Sequence, residues 1–232
     1  MNPQMLTYIL YGLVLVCFLF SLIVSAGVDS DMAKFHKVAN SQRKTGAEIA
    51  REILASAGIY HVQVCSINKK GGDCYDPRSK TVYLSEKNFR TCSVTAMAVA
   101  AHECGHAIQD HTGDTLFNAR IAIVPLANIG SKAAVLLILA GLILSQFSFL
   151  ITIGLLAYSL TTLFYLVTLP VELDASRRAL AKIDSLNMAY TQEERKGCKK
   201  VLHSAAMTYV VATLTSIVQL LYMISRYSGR RR

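Results

Sequence analysis

A chain of 232 residues that is 53% hydrophobic, with a positive mean hydropathy, is too apolar for an ordinary water-soluble domain. Several nearly uncharged runs reach the roughly 20 residues that a helix needs to cross a bilayer core. The net charge of +9 is spread along the polar segments without basic–aromatic interleaving, which speaks against a nucleic-acid partner and for contact with anionic lipid headgroups.

The first apolar run, residues 5–28, is preceded by no Lys or Arg and lacks a small-residue cleavage site, so it reads as a retained membrane anchor. Residues 29–126 follow as the main water-facing region. Within it, Thr45-Gly-Ala-Glu-Ile-Ala-Arg-Glu-Ile-Leu sets Ile49, Ile53 and Leu54 on one face of an amphipathic helix that Gly58 ends. His61-Val-Gln-Val-Cys-Ser-Ile alternates like a strand, Lys69-Lys-Gly-Gly-Asp is a turn, and Thr81-Val-Tyr-Leu-Ser is a second short strand. The two strands are expected to form a small antiparallel unit, with the Thr81–Ser85 strand as an edge along which a peptide could add. Ser93 is a candidate N-cap for an apolar helix running to Asp110.

From about Ala127 to Leu169 the chain is almost continuously apolar, which is the length of two helices, 127–146 and 147–170, with a turn at Ser145-Gln-Phe-Ser. Pro170 is expected to end the second and to start a charged helical segment, 171–204. Residues 205–225 form the last span and 226–232 a basic tail. The chain is thus expected to be a mainly α, multi-pass protein of the cell membrane with about four transmembrane helices and a small α+β domain at the membrane surface. Lys34, Lys37, Arg43 and Lys44 after the first span, with the basic residues of 171–204, put the water-facing region in the cytoplasm; the C-terminal arginines argue the reverse. The six cysteines form no CxxC pair, and a Cys65–Cys74 bridge across a hairpin is one option beside free thiols.

His102-Glu103-Cys104-Gly105-His106 matches H-E-x-x-H. Residues four apart lie about 40° apart around a helix and one turn along it, so both imidazoles can reach one ion. Zinc takes nitrogen ligands and keeps a position for water in catalytic sites. Glu103 points beside the ion and can act as general base, taking a proton from water and returning it to a leaving amine. A zinc-stabilised scaffold or adaptor would need no such base. A third ligand cannot follow the histidine-rich pattern, because residue 112 is Thr and His111 is rotated away. Glu172 in Leu169-Pro-Val-Glu-Leu-Asp is the candidate, with Asp174 as the alternative ligand or as an acceptor behind a ligand histidine. Asp110, one turn past His106, is a further acceptor of that kind. Arg177 and Arg178 are candidates for substrate or headgroup contact. Cys104 reads as packing.

Three stretches resemble the YugP-like neutral zinc metallopeptidase family of bacterial membranes. They are Ala101-His-Glu-Cys-Gly-His-Ala-Ile-Gln, Tyr75-Asp-Pro-Arg-Ser-Lys-Thr-Val-Tyr-Leu-Ser and Thr168-Leu-Pro-Val-Glu-Leu-Asp-Ala-Ser-Arg-Arg-Ala. The likeness runs from about residue 5 to 225. It implies a multi-pass plasma-membrane protein with gluzincin-like ligation, which maps here onto His102, His106 and Glu172. One Zn2+ per chain in a zincin-like catalytic domain is expected from the site itself, with protein or peptide substrates that can include membrane proteins; the resemblance says little about the substrate. Broader membrane gluzincins place an aspartate four residues after the ligand glutamate, where this chain has Ser176.

Overall fold

A computed structural model describes residues 3–68 and 72–228. Most of the tight turn expected at 69–73 lies outside the described residues. Seven α-helices and three strands are described: α1 (Pro3–His36), α2 (Gly46–Ser56), β1 (Gln63–Ile67), β2 (Cys74–Asp76), β3 (Thr81–Ser85), α3 (Glu86–Arg90), α4 (Val94–His111), α5 (Thr115–Ile143), α6 (Phe149–Ser185) and α7 (Gln192–Ser228). A single 3-10 turn at Ser145–Phe147 joins α5 to α6, at the expected turn. Helices α1, α5, α6 and α7 are each long and apolar enough to cross a membrane. The protein is therefore a mainly helical, multi-pass membrane protein with a small mixed α+β region.

Contacts divide the chain into two compact units. One comprises Met1–Val24, Asn118–Pro170 and Thr208–Arg232. Its helices pack through small residues and sparse hydrogen bonds, as apolar surroundings favour. A Cβ on Gly130 of α5 would come within 2.7 Å of the Ala157 carbonyl of α6. Thr7 and Ser225 hydrogen-bond at 2.8 Å, and Thr213 Oγ1 donates to the Tyr165 carbonyl at 3.3 Å.

The second unit comprises Ser25–Phe117 and Val171–Met207. Helix α2 starts at a capping box, in which Thr45 and Glu48 satisfy each other's backbone N–H groups. It buries Ile49, Ala50, Ile53 and Leu54, and Gly58 takes the left-handed turn beyond it (φ 71°). Ser93 caps α4, its Oγ accepting from the Ala96 N–H at 3.1 Å.

The strands correct two expectations. Their order is β1-β3-β2, with β1 parallel to β3 and β2 antiparallel to it. The strands at 63–67 and 81–85 are therefore parallel neighbours rather than an antiparallel pair. The short β2 between them in sequence takes the antiparallel place. Strand β3 is the middle strand, with Val82 and Leu84 fully buried, and offers no edge. Cys65 and Cys74 both stand opposite Tyr83, one on each side of it. Two strand spacings, about 9.5 Å, separate them, more than a disulfide can span, and none of the six cysteines is in a disulfide.

Pro170 does not end a helix: α6 runs unbroken through it to Ser185, and α7 is likewise continuous from Gln192 to Ser228. A proline removes one ladder hydrogen bond, and a membrane helix can absorb that loss when packing holds the backbone on either side. On the C-terminal side, α4 supplies that packing. A Cβ on Gly105 would meet the Ala175 carbonyl at 2.5 Å. Four residues further along α4, the Gln109 side chain reaches the Val171 carbonyl, four residues back along α6. The two helices thus run antiparallel, almost backbone to backbone.

Gly105→Ala is expected to lower stability by about 1–3 kcal/mol through overpacking against rigid backbone. Gly27→Ala, where nothing lies within 4 Å, should be neutral or slightly stabilising. Thermal unfolding of the two variants in detergent checks the contrast.

Candidate metal centre

The α4–α6 crossing decides what meets. Helix α4 is rich in small apolar residues and buried on nearly every side; Ala96, Met97, Ala100, Ala101 and Cys104 are fully enclosed. Its spacing turns His102 and His106 toward α6, their rings 4.8 Å apart and nearly perpendicular. Glu172, only 1% exposed, comes from the facing turn of α6. Its Oε2 lies 3.2 Å from His102 Nε2 and 3.6 Å from His106 Nε2. One ligand atom from each of the three lies within 4.8 Å of the others.

The donor set fits zinc. Ligands at 2.0–2.2 Å in tetrahedral array stand about 3.4 Å apart, and the two measured separations bracket that value. The ring nitrogens are also correctly disposed. Gln109 Nε2 donates to the Val171 carbonyl at 2.9 Å and to Asp174 Oδ2 at 3.0 Å. Its Oε1 is left to accept from His106 Nδ1, at 2.9 Å. His106 therefore carries its proton on Nδ1 and presents the Nε2 lone pair to the shared point. His102 Nδ1 meets Ser176 Oγ at 3.2 Å; with the hydroxyl accepting from Nδ1, the Nε2 lone pair is free as well. Ser176 stands where the broader pattern has aspartate.

Glu103 lies beside this cluster rather than in it. It is buried, and its Oε2 accepts the backbone N–H of Tyr75 on β2 at 2.9 Å. Burial pushes its carboxyl up to about 7, assisted by the negative charge of Glu172 and opposed by His102 and the Tyr75 N–H. Tyr75 is itself anchored. Its hydroxyl donates to Asp110 Oδ2 at 2.5 Å, an oxygen that also receives Lys80 Nζ at 2.5 Å. Its ring lies 6.4 Å from Phe117, which stacks on His106 at 5.9 Å. Asp110 thus faces Tyr75 and Lys80, not a ligand histidine.

Asp174 is outside the cluster. Burial alone would raise its carboxyl, but hydrogen bonds from Arg178, Gln109 and Arg177 outweigh that and hold it at about 2. Arg177 and Arg178 are thereby both committed to Asp174, and Arg178 also reaches Asp114 Oδ2 at 3.4 Å. The Cys104 thiol turns away toward the Ala50 carbonyl at 3.5 Å, and burial pushes its pKa up. His111 is exposed beside His61. Gln109, Ser176 and Tyr75 had no role in the sequence reading. Their common signal is only position: three residues past His106, four past Glu172, and at the start of the Tyr-Asp-Pro-Arg stretch.

Two histidines one helical turn apart, an adjacent buried glutamate and a third carboxylate from a distant helix define a class. This is a zinc-dependent metalloendopeptidase centre of the HExxH type, completed by glutamate, in a multi-pass membrane protein. The family model described as "Putative neutral zinc metallopeptidase" matches residues 9–228, and the chain belongs to that family. It is 40% identical over 204 residues to the "Putative membrane protease YugP" of Bacillus subtilis (strain 168), covering 88% of this chain and 90% of that one. No solved structure matches the chain.

Gln109→Leu removes the acceptor behind His106 while nearly keeping volume. It should weaken zinc binding about 10- to 100-fold, read by competition with a chromophoric chelator.

Proposed function

We propose that the centre holds one Zn2+ per chain on His102 Nε2, His106 Nε2 and Glu172, and that Glu103 is the general base for hydrolysis of protein or peptide substrates. When bound, zinc supplies a Lewis acid that polarises the scissile carbonyl and acidifies a water molecule. Glu103 does the proton work. With Oε2 occupied by the Tyr75 N–H, Oε1 is the oxygen that takes the proton from the attacking water. The same oxygen then delivers it to the departing amine. A carboxyl lifted by burial accepts and releases a proton more evenly than a solvated one. Gln109 holds the His106 imidazole in one tautomer throughout.

The observation that carries this reading is the pairing of a buried Glu103, held by a backbone N–H, with an adjacent His–His–Glu cluster. A purely structural metal site has no use for such a base.

The substrate is proposed to lie extended along β2 rather than β3. β2 is an edge strand, and its Tyr75 N–H turns to Glu103, away from β3. With the Tyr75 N–H held by Glu103, strand addition there would rest on the other main-chain groups of that edge, independent of side-chain sequence. The catalytic region is proposed to sit at the membrane surface, since Glu172 follows directly on an apolar span, and to face the cytoplasm. Lys34, Lys37, Arg43 and Lys44 support that side. Both termini would then lie outside. A C-terminal reporter that functions only in the cytoplasm should stay silent, and activity from it would overturn the orientation.

Glu103→Gln should lower peptide hydrolysis by about 10²- to 10⁴-fold while metal analysis still finds zinc bound. Hydrolysis at the wild-type rate would remove Glu103 as the base.

A further inference from the structure

Helix α5 carries a charge that the catalytic reading does not use. Lys132 lies within the apolar run of α5, 11 residues before the helix ends at Ile143, or about 16 Å along the axis. Gly130, half a turn away, packs on Ala157 of α6, which is eight residues, about 12 Å, past the start of that helix at Phe149. Measured along either helix from the turn that joins them, Lys132 is close to the middle of a hydrocarbon layer of about 30 Å.

The direction of the side chain is equally telling. α5 turns Ala127, Gly130 and Ala134 inward. Asn128 and Lys132, one turn apart, lie on the opposite face and are exposed, among Ile129, Val135, Leu136 and Leu139. Among the described residues no hydrogen bond or ion pair reaches the Lys132 ammonium. A charge left in hydrocarbon is strongly disfavoured, and such residues ordinarily pair or line a wet cavity. Reaching the nearer headgroups would require more length than a four-carbon stem has. Nor can a second copy supply the partner from its own spans, because residues 6–28, 117–144, 149–171 and 205–225 contain no aspartate or glutamate.

We propose that this outward face of α5 is a docking surface for a transmembrane helix of another protein, one that carries an aspartate or glutamate near mid-span. The carboxylate would receive Lys132 Nζ and the Asn128 amide one turn away. The aliphatic residues around them would pack against the incoming helix. Phospholipid headgroups belong at the interface, not at this depth, and so do not serve as the counter-ion.

The test uses the full chain, labelled with a donor dye at its C-terminus, in phosphatidylcholine vesicles. Acceptor-labelled poly-leucine transmembrane peptides carry a single central Glu, Gln, Lys or Leu. Energy transfer should show the Glu peptide associating at least about tenfold more tightly than the Leu peptide, with the difference lost in Lys132→Leu. Lys132→Glu should reverse the preference toward the Lys peptide, a gain that a misfolded protein cannot imitate. Thermal unfolding of Lys132→Leu should be no earlier than that of wild type, since the isolated chain loses no partner. Equal association of all peptides with wild type would overturn the proposal. So would a Glu preference that survives Lys132→Leu, loss of the preference when phosphatidylglycerol is added, or transfer between two labelled copies that depends on Lys132.

Discussion

Everything around the centre answers one constraint, the burial of the Glu172 carboxylate. At 1% exposure it has exchanged bulk water for two imidazoles at 3.2 and 3.6 Å. An ionised carboxylate in that position is tolerable only with compensating positive charge and filled hydrogen-bond sites. A divalent cation held by all three residues would supply such charge. The α4–α6 crossing is built to make that sharing possible. Gly105 permits the backbones to meet, and Gln109 ties the same two helices together four residues on.

The two histidines are held to different degrees. His106 is 7% exposed at its side chain, stacked under Phe117, and faces an amide whose orientation two acceptors have already fixed. Its tautomer follows by elimination. His102 is 16% exposed and faces the hydroxyl of Ser176, which can donate or accept. An aspartate in place of Ser176 would demand the Nδ1 proton and make the imidazole more basic. In this chain the carboxylate on that stretch of helix is Asp174, and it acts on the other histidine, through Gln109. Asp174 in turn gathers Arg177 and Arg178. The arginine pair is thus explained by the site's support rather than by its substrate.

What was legible in the sequence was local. The spacing of His102 and His106 is a property of one helix, and Glu103 takes its place from the same turn. The apolar runs declare themselves by length. Glu172 was within reach because a carboxylate following directly on a span needs a partner. Gln109 and Ser176 were not, since an amide or a hydroxyl carries no spacing rule that marks it as a histidine's support. Strand order failed for a related reason. Whether β3 is an edge depends on where β1 returns to it, a non-local matter that alternation along five residues cannot express. Pro170 departs from the local rule, which counts the missing N–H and not the packing that α4 provides beyond it.

Glu172 and Lys132 present the same physical problem with opposite signs. Both are ionisable groups placed where water is scarce. For Glu172 the fold converges two imidazoles on the carboxylate from a neighbouring helix and seals the arrangement with Gln109. For Lys132 the fold does the reverse. It spends its close-packing residues, Gly130 and Ala134, on the far side of α5 and leaves the ammonium facing outward, with Asn128 one turn away. A residue whose sole consequence were a penalty would be met by an internal partner or by burial against α6. The contrast within one chain is the reason to assign Lys132 to a neighbour in the membrane rather than to chance.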